Sequence, residues 1–115
     1  MKQKPFTAAQ LKRLRANSEA NQAQGGGIDH QPVVKFFCPW GAATWLITEY
    51  DGEDTMFGLC DLGHGSPELG YVSLSELRAI RGGFGLTIER DLHFRADKAL
   101  SGYVEAAREQ GRISA

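Results

Sequence analysis

Two cysteines, no long apolar run and no excess of positive charge remove whole classes of function from this chain of 115 residues. Spanning a bilayer takes roughly 18 consecutive apolar residues, and no segment approaches that, so membrane insertion is excluded. The first residues are basic but lead into Gln, Asn and Ala with no apolar stretch, which is not the pattern of a secretory signal. A cytoplasmic location is expected. Cys38 and Cys60 lie in strand-like runs and show neither C-x-x-C nor any other zinc spacing, which predicts buried, reduced thiols acting as small hydrophobes and no cofactor. A net charge of −1 and a pI near 6.3 argue against nucleic acid as the partner, because such domains usually have a pI above about 9.

Catalytic signatures are equally scarce. Gly25-Gly26-Gly27 has no strand before it and no G-K-[ST] after it, so it reads as a loop rather than a phosphate cradle. Ser66, Ser73 and Ser75 fit turn and cap positions, and neither G-x-S-x-G nor S-x-x-K occurs. The run Glu89-Arg90-Asp91 lacks the lysine that a nuclease pattern of acid and E-x-K would need. His30, beside Asp29, and His64, between glycines, could each act as a general base, but neither has a nucleophile in a recognisable elbow.

What is present is architectural grammar. A chain of this length forms one domain, 1–115, able to bury a core without disulfides or metal. Phe6 and Leu11 bracket the capping box Thr7-x-x-Gln10, so a helix starts at Ala8 and runs to Ala16 or Ala20, followed by a loop through 21–27. Only Leu11 and Leu14 give that helix an apolar stripe. From 33 the pattern turns to β: 33–38, then 44–50, then 55–60 after the Asp51-Gly52 turn, then 68–72. Val72 and Leu77 bracket a second capping box, Ser73 with Glu76, which ends that strand and starts a helix at Leu74. Gly82-Gly83 stop the helix by entering the left-handed region, and Leu86-Thr87-Ile88 resume strand-like alternation. The segment 97–110 favours a last helix, ended by Gly111. The fold class is α+β: a core at 33–94 built as an antiparallel meander of four or five strands with helices packed on one face, an N-terminal helix and Gly-rich loop at 1–32, and a helical tail at 95–115.

Charge is distributed unevenly. Residues 1–16 carry Lys2, Lys4, Lys12, Arg13 and Arg15 with no acid, whereas 49–91 carry nine acids against Arg78, Arg81 and Arg90. The acids Glu49, Asp51, Glu53, Asp54, Asp61 and Glu68, with Trp40 in a turn, form the candidate surface for a protein partner that is itself basic. Phe36, Phe37, Trp45, Tyr50, Phe57, Tyr71 and Phe84 could stack bases, but the acids among them favour a core role. Glu89, Asp91 and His93 alternate along one strand-like run and would share a sheet face, with His64 or Asp61 near enough to complete a metal shell.

Several ordered segments carry a resemblance: Val34-Lys35-Phe36-Phe37, Thr44-Trp45, the acidic turn at 49–54, Phe57-Gly58-Leu59, the run from Glu68 to Leu77, and Ile88 to Phe94. Together they resemble a small bacterial family labelled domain of unknown function 2958. The family's genes are often carried by plasmids, phages and integrated elements, which implies an accessory role in such an element and no particular activity. The resulting expectation is a non-enzymatic accessory protein of a mobile genetic element, binding a protein through its acidic face and inhibiting a host defence nucleoprotein. Two alternatives stand beside it: a metal-dependent enzyme using Glu89, Asp91 and His93, and a DNA-binding accessory using the basic N-terminal helix.

Overall fold

Local capping rules set where the elements begin. In a computed structural model describing residues 1–115, the Thr7 hydroxyl accepts the Gln10 N–H at 3.1 Å and the Gln10 side chain accepts the Thr7 N–H at 2.9 Å, which starts α1 (Ala8–Gln24) as the sequence predicts. The helix outruns its expected end, and 21–24 are helical rather than loop. Tertiary bonds hold that polar last turn: Asn21 Nδ2 donates to Glu49 Oε2 at 2.6 Å, and Asn21 Oδ1 accepts the Ile28 N–H at 2.9 Å. Gly25, at φ 84°, then ends it in the left-handed conformation that glycine adopts without a Cβ penalty.

Strands β1 (Val34–Phe37), β2 (Thr44–Tyr50), β3 (Thr55–Asp61) and β4 (Glu68–Ser73) form the meander. Helix α2 (Leu74–Ala79) then returns the chain to the far side, where β5 (Glu89–Arg90) pairs with β1. The sheet is antiparallel throughout, in the order β4-β3-β2-β1-β5. Helix α2 stops at Ala79, short of Gly82-Gly83, because Ile80 is already extended at φ −65°, ψ 130° and Arg81 bridges to Thr87. Neither Gly82 nor Gly83 is left-handed. The indole of Trp40 lies on Gly82, where a Cβ would sit 2.6 Å from a ring carbon. Helix α3 (Leu100–Gln110) starts three residues later than expected and ends at Gly111, at φ 73°.

Helices cover both faces of the sheet rather than one. Phe6, Leu14, Leu74, Leu77 and Ile88 pack with Val34, Phe36, Trp45, Ile47, Tyr50 and Met56 on the first face. On the second, Leu100, Tyr103, Val104 and Ala107 of α3, spaced i, i+3, i+4, i+7, cover Leu46 and Leu59. Leu46 and Leu59 are both wholly buried, so a bare second face would leave two large aliphatics in water. No helix is long and apolar enough to cross a membrane.

A bulge in β2 keeps the faces in phase. Ile47 lies opposite Gly58 but Glu49 lies opposite Phe57, leaving Thr48 as the extra residue. Without it, strict alternation from Trp45 and Ile47 would put Glu49 in the core; with it, Tyr50 packs there against Phe6 at a ring separation of 5.2 Å. The buried Thr48 is satisfied twice, its hydroxyl donating to Phe57 O at 3.3 Å and its carbonyl accepting Asn17 Nδ2 at 2.9 Å. A Cβ on Gly58 would come within 1.9 Å of the Leu46 carbonyl oxygen, so only glycine fits opposite the bulge.

Both cysteines are free, and both are half-buried rather than fully buried as expected, because each lies beside the first core and not inside it. Burial pushes the Cys60 thiol up to about 11. Cys60 should therefore react with a disulfide thiol reagent at pH 8 far more slowly in the native protein than after denaturation, since only about one thiol in a thousand is then thiolate. Labelling at equal rates in both states would contradict that placement. The bulge carries a second expectation: Gly58→Ala should cost about 3 kcal/mol or more, while Gly70→Ala should change stability by less than about 0.5 kcal/mol. At Gly70 an added Cβ meets nothing within 4 Å, and urea denaturation of both variants measures the contrast.

Candidate functional site: an acidic groove

An open groove with a volume near 680 Å³ lies where the last turn of α1, residues 25–30 and the start of α3 meet the ends of β2, β3 and β4. Its apolar floor is on the second sheet face beyond the reach of α3. There Phe57 and Tyr71 pack with ring centroids 5.1 Å apart and Leu69 lies alongside; Tyr71 is 78% exposed and Leu69 46%. Asp29, Glu49 and Asp51 line the walls, with no lysine or arginine among the lining residues. His30 also lines it, and its Nε2 is the one buried side-chain polar atom in the chain without a hydrogen-bond partner. Strand β4 runs along this side as an edge strand, with one side of its backbone unpaired.

Of the wall acids, Glu49 is held by the Asn21 side chain, and Asp51 and Asp29 are held by backbone donors. Asp51 Oδ1 accepts the N–H groups of Glu53, Asp54 and Thr55 at 2.8, 3.0 and 3.1 Å, closing the β2–β3 turn. Asp29 accepts the Ser101 N–H at 3.0 Å and the Ser101 hydroxyl at 2.5 Å, capping α3 from a distant segment, while the His30 carbonyl accepts the Leu100 N–H at 2.9 Å. Ser101 donates to Asp29 and not to His30, so these three residues form no proton relay.

The sequence-derived partner set does not form one surface. Glu49 and Asp51 face the groove, Glu53 is exposed in the same β2–β3 turn but outside the lining, and Glu68 is exposed at the start of β4. Asp54 is committed to α2: it accepts the Ser73 hydroxyl at 2.5 Å, the Ser75 N–H at 2.8 Å and the Ser75 hydroxyl at 3.0 Å. Ser73 is the expected N-cap, accepting the Glu76 N–H at 3.2 Å, but no reciprocal bond from Glu76 forms and Asp54 supplies the second acceptor. Asp61, read as part of the exposed acidic face, is only 1% exposed and accepts the N–H groups of Gly63 and Ile113 at 2.8 and 2.9 Å. Trp40 is 39% exposed, with its ring seated on Gly82 away from the groove.

The metal-site alternative loses its geometry. Strand β5 ends at Arg90, so Glu89, Asp91 and His93 do not share a strand face. Asp91 instead accepts the His93 N–H at 2.8 Å and pairs with Lys35 at 3.4 Å, and no three His, Cys, Asp or Glu side chains anywhere in the chain are grouped to hold an ion. The basic N-terminal set also divides. Lys12, Arg13 and Arg15 are exposed on α1, whereas Lys2 and Lys4 lie by β5, where Arg90 bonds to Gln3 and to the Lys4 carbonyl.

Comparison with protein families gives one decisive result: the sequence model of the family described as Protein of unknown function (DUF2958) matches residues 6–114. The chain belongs to this family. The match takes in α1 and α3 as well as the meander, so the family extends well beyond the 34–94 segments that suggested it. Neither the curated proteins nor the solved structures contain a match to the chain.

Residues 28–30, 49 and 71 come together only in the folded chain. Each alone reads as loop or strand, and the unpaired His30 nitrogen leaves no trace in sequence. The anchoring of the acids does have a pH signature. Asp51 and Asp54 are held below the usual carboxylate range, Asp51 chiefly by the Glu53 N–H and Asp54 chiefly by the Ser73 hydroxyl. Because folding depresses these values, their stabilisation is complete above the unfolded value near about pH 4 and is lost as pH falls through the folded ones. Asp54→Asn should therefore flatten the fall of stability below about pH 4 relative to wild type, measured by denaturant unfolding at stepped pH. Identical acid limbs would contradict the cap.

Proposed function

We propose that this protein is a non-catalytic binding module whose acidic groove holds a basic, extended segment of another protein. The walls carry the reading: Asp29, Glu49 and Asp51 line the groove with no lysine or arginine among the lining residues, which complements a cationic side chain. Two further features support it. The Phe57–Tyr71–Leu69 floor takes the aliphatic stem of a lysine or arginine whose charged head the acidic walls take, and the open edge of β4 offers backbone groups to an added strand. The partner is thus a protein with a basic surface, and the acids speed its approach as well as hold it.

The wider setting extends the same proposal. An accessory role in a mobile genetic element, and inhibition of a host defence complex whose own nucleic-acid groove is basic, rest on the genomic company of the family and on the charge of the site. A complex of that kind presents the surface this groove complements.

A fluorescent decapeptide of alternating arginine and alanine serves as the probe. The double variant Glu49→Gln with Asp51→Asn keeps every acceptor that Asn21 and the turn require, and should weaken binding about tenfold while flattening its salt dependence. Tyr71→Ala should weaken it without changing the salt dependence. If the double variant bound as tightly as wild type at low salt, the groove would not be the contact.

A further inference from the structure

The net charge conceals a second surface of opposite sign, at the other end of the sheet. Residues 82–85, Gly-Gly-Phe-Gly, make one tight 3-10 turn in which Phe84 takes φ 60°, ψ 26°, the only non-glycine residue in the chain with positive φ. A bulky side chain in that region is strained. Its ring is 105% exposed, as free as an isolated side chain, so the strain is not offset by burial. Core packing cannot explain Phe84.

Three cations lie near the turn. Lys2 lines a hollow with Gly85 and Leu86. Arg81 precedes the turn directly and folds back on the carbonyls of Arg78 and Ile80 at 2.6 and 3.1 Å. Arg78 is one helical turn before Arg81, which bonds to its carbonyl. Burial depresses the Met1 amino group, and the charges of Arg81, Arg78 and Lys2 act on it as well. None of the three is in an ion pair, since the chain's two ion pairs are Lys35–Asp91 and Lys98–Asp97. Glu89 is the one acid lining the hollow. Trp40 supports the turn from beneath by packing on Gly82.

We infer that this turn is a binding site for single-stranded nucleic acid, with a base stacked on Phe84 and phosphates held by Lys2, Arg78 and Arg81. An aromatic ring open on its faces, flanked by glycines that let a backbone approach closely and ringed by unpaired cations, is the combination that single strands use. A duplex hides its base faces and cannot stack on the ring. Contact through base face and phosphate ignores the 2′-hydroxyl, so DNA and RNA strands bind alike. The site is distinct from the acidic groove and shares no residue with it.

Fluorescence anisotropy with dT12 and rU12 tests this on the intact protein. Both oligomers should bind within a few-fold of each other, and a 12-base-pair duplex at least tenfold more weakly. Because Phe84 is fully exposed, Phe84→Ala should fold normally and lose about tenfold or more in affinity, in line with roughly 1–3 kcal/mol per stacked base. Phe84→Trp should retain binding. Arg78→Gln with Arg81→Gln should make the plot of log affinity against log salt shallower by about 1.4, or about 0.7 for each phosphate that is no longer neutralised. Glu49→Gln with Asp51→Asn should leave dT12 binding unchanged or slightly tighter, so failure here and failure of the groove are separate results. Equal binding of wild type and Phe84→Ala, equal binding of the duplex, or equal binding of a polyglutamate of the same charge would overturn the assignment.

Discussion

The extra residue at Thr48 is the constraint on which the other layers rest. It turns β2 by one position, so that Trp45, Ile47 and Tyr50 all reach the first core although their spacing breaks strict alternation. The same register delivers Glu49 to the groove wall and presents the Thr48 carbonyl to Asn17, which fixes α1 across the sheet. Gly58 is its counterpart on β3, where backbone meets backbone and no Cβ fits. Core, helix docking and groove thus share one register, and a slip of one residue would exchange core and solvent faces along the strand.

Aspartates tie the outer segments to this frame. Asp29 caps α3 from the far side of the Gly-rich loop, Asp54 caps α2 from the β2–β3 turn, and Asp61 receives the Ile113 N–H from beyond α3. Each satisfies donors that a helix start or a turn leaves open, and a charged acceptor makes such bonds stronger than a neutral one would. Charge that looks like a binding surface in the sequence is thus partly internal scaffolding. What remains free sorts into two places, an acidic groove and a basic turn, and the net value of −1 reports neither.

Legibility in the sequence follows the range of the interaction. The Thr7–Gln10 capping box, the Ser73 cap, the Asp51-Gly52 turn and the first four strands to within a residue depend on residues within about four positions and are legible, whereas the strand expected at 86–88 lies at Glu89–Arg90 because its partner is β1. The last turn of α1 escapes a local reading because Asn21 is a poor helix former on its own and a glycine run follows closely, and the bond that holds it comes from Glu49. The second helical face escapes it because buried β2 reads as one apolar run whichever side is covered, although Gly58 inside a strand is a signal for the bulge. The supposed metal face fails for the complementary reason: Glu89, Asp91 and His93 alternate in sequence, but the strand ends beneath them at Arg90. Neither the groove nor the cation cluster is legible, since each is assembled from separate segments that only the fold brings together.

The two tryptophans divide the molecule optically. Trp45 is 4% exposed inside the first core, whereas Trp40 lies at the surface with its indole against Gly82, the first residue of the turn that carries Phe84. The intrinsic emission of the protein therefore has a shielded component that reports on the core and a solvent-facing component accessible to quenchers. Any movement of the Gly-Gly-Phe-Gly turn lifts the backbone off the second indole and shifts its emission, without an added dye. The glycine at 82 makes the surface indole a built-in gauge of that turn.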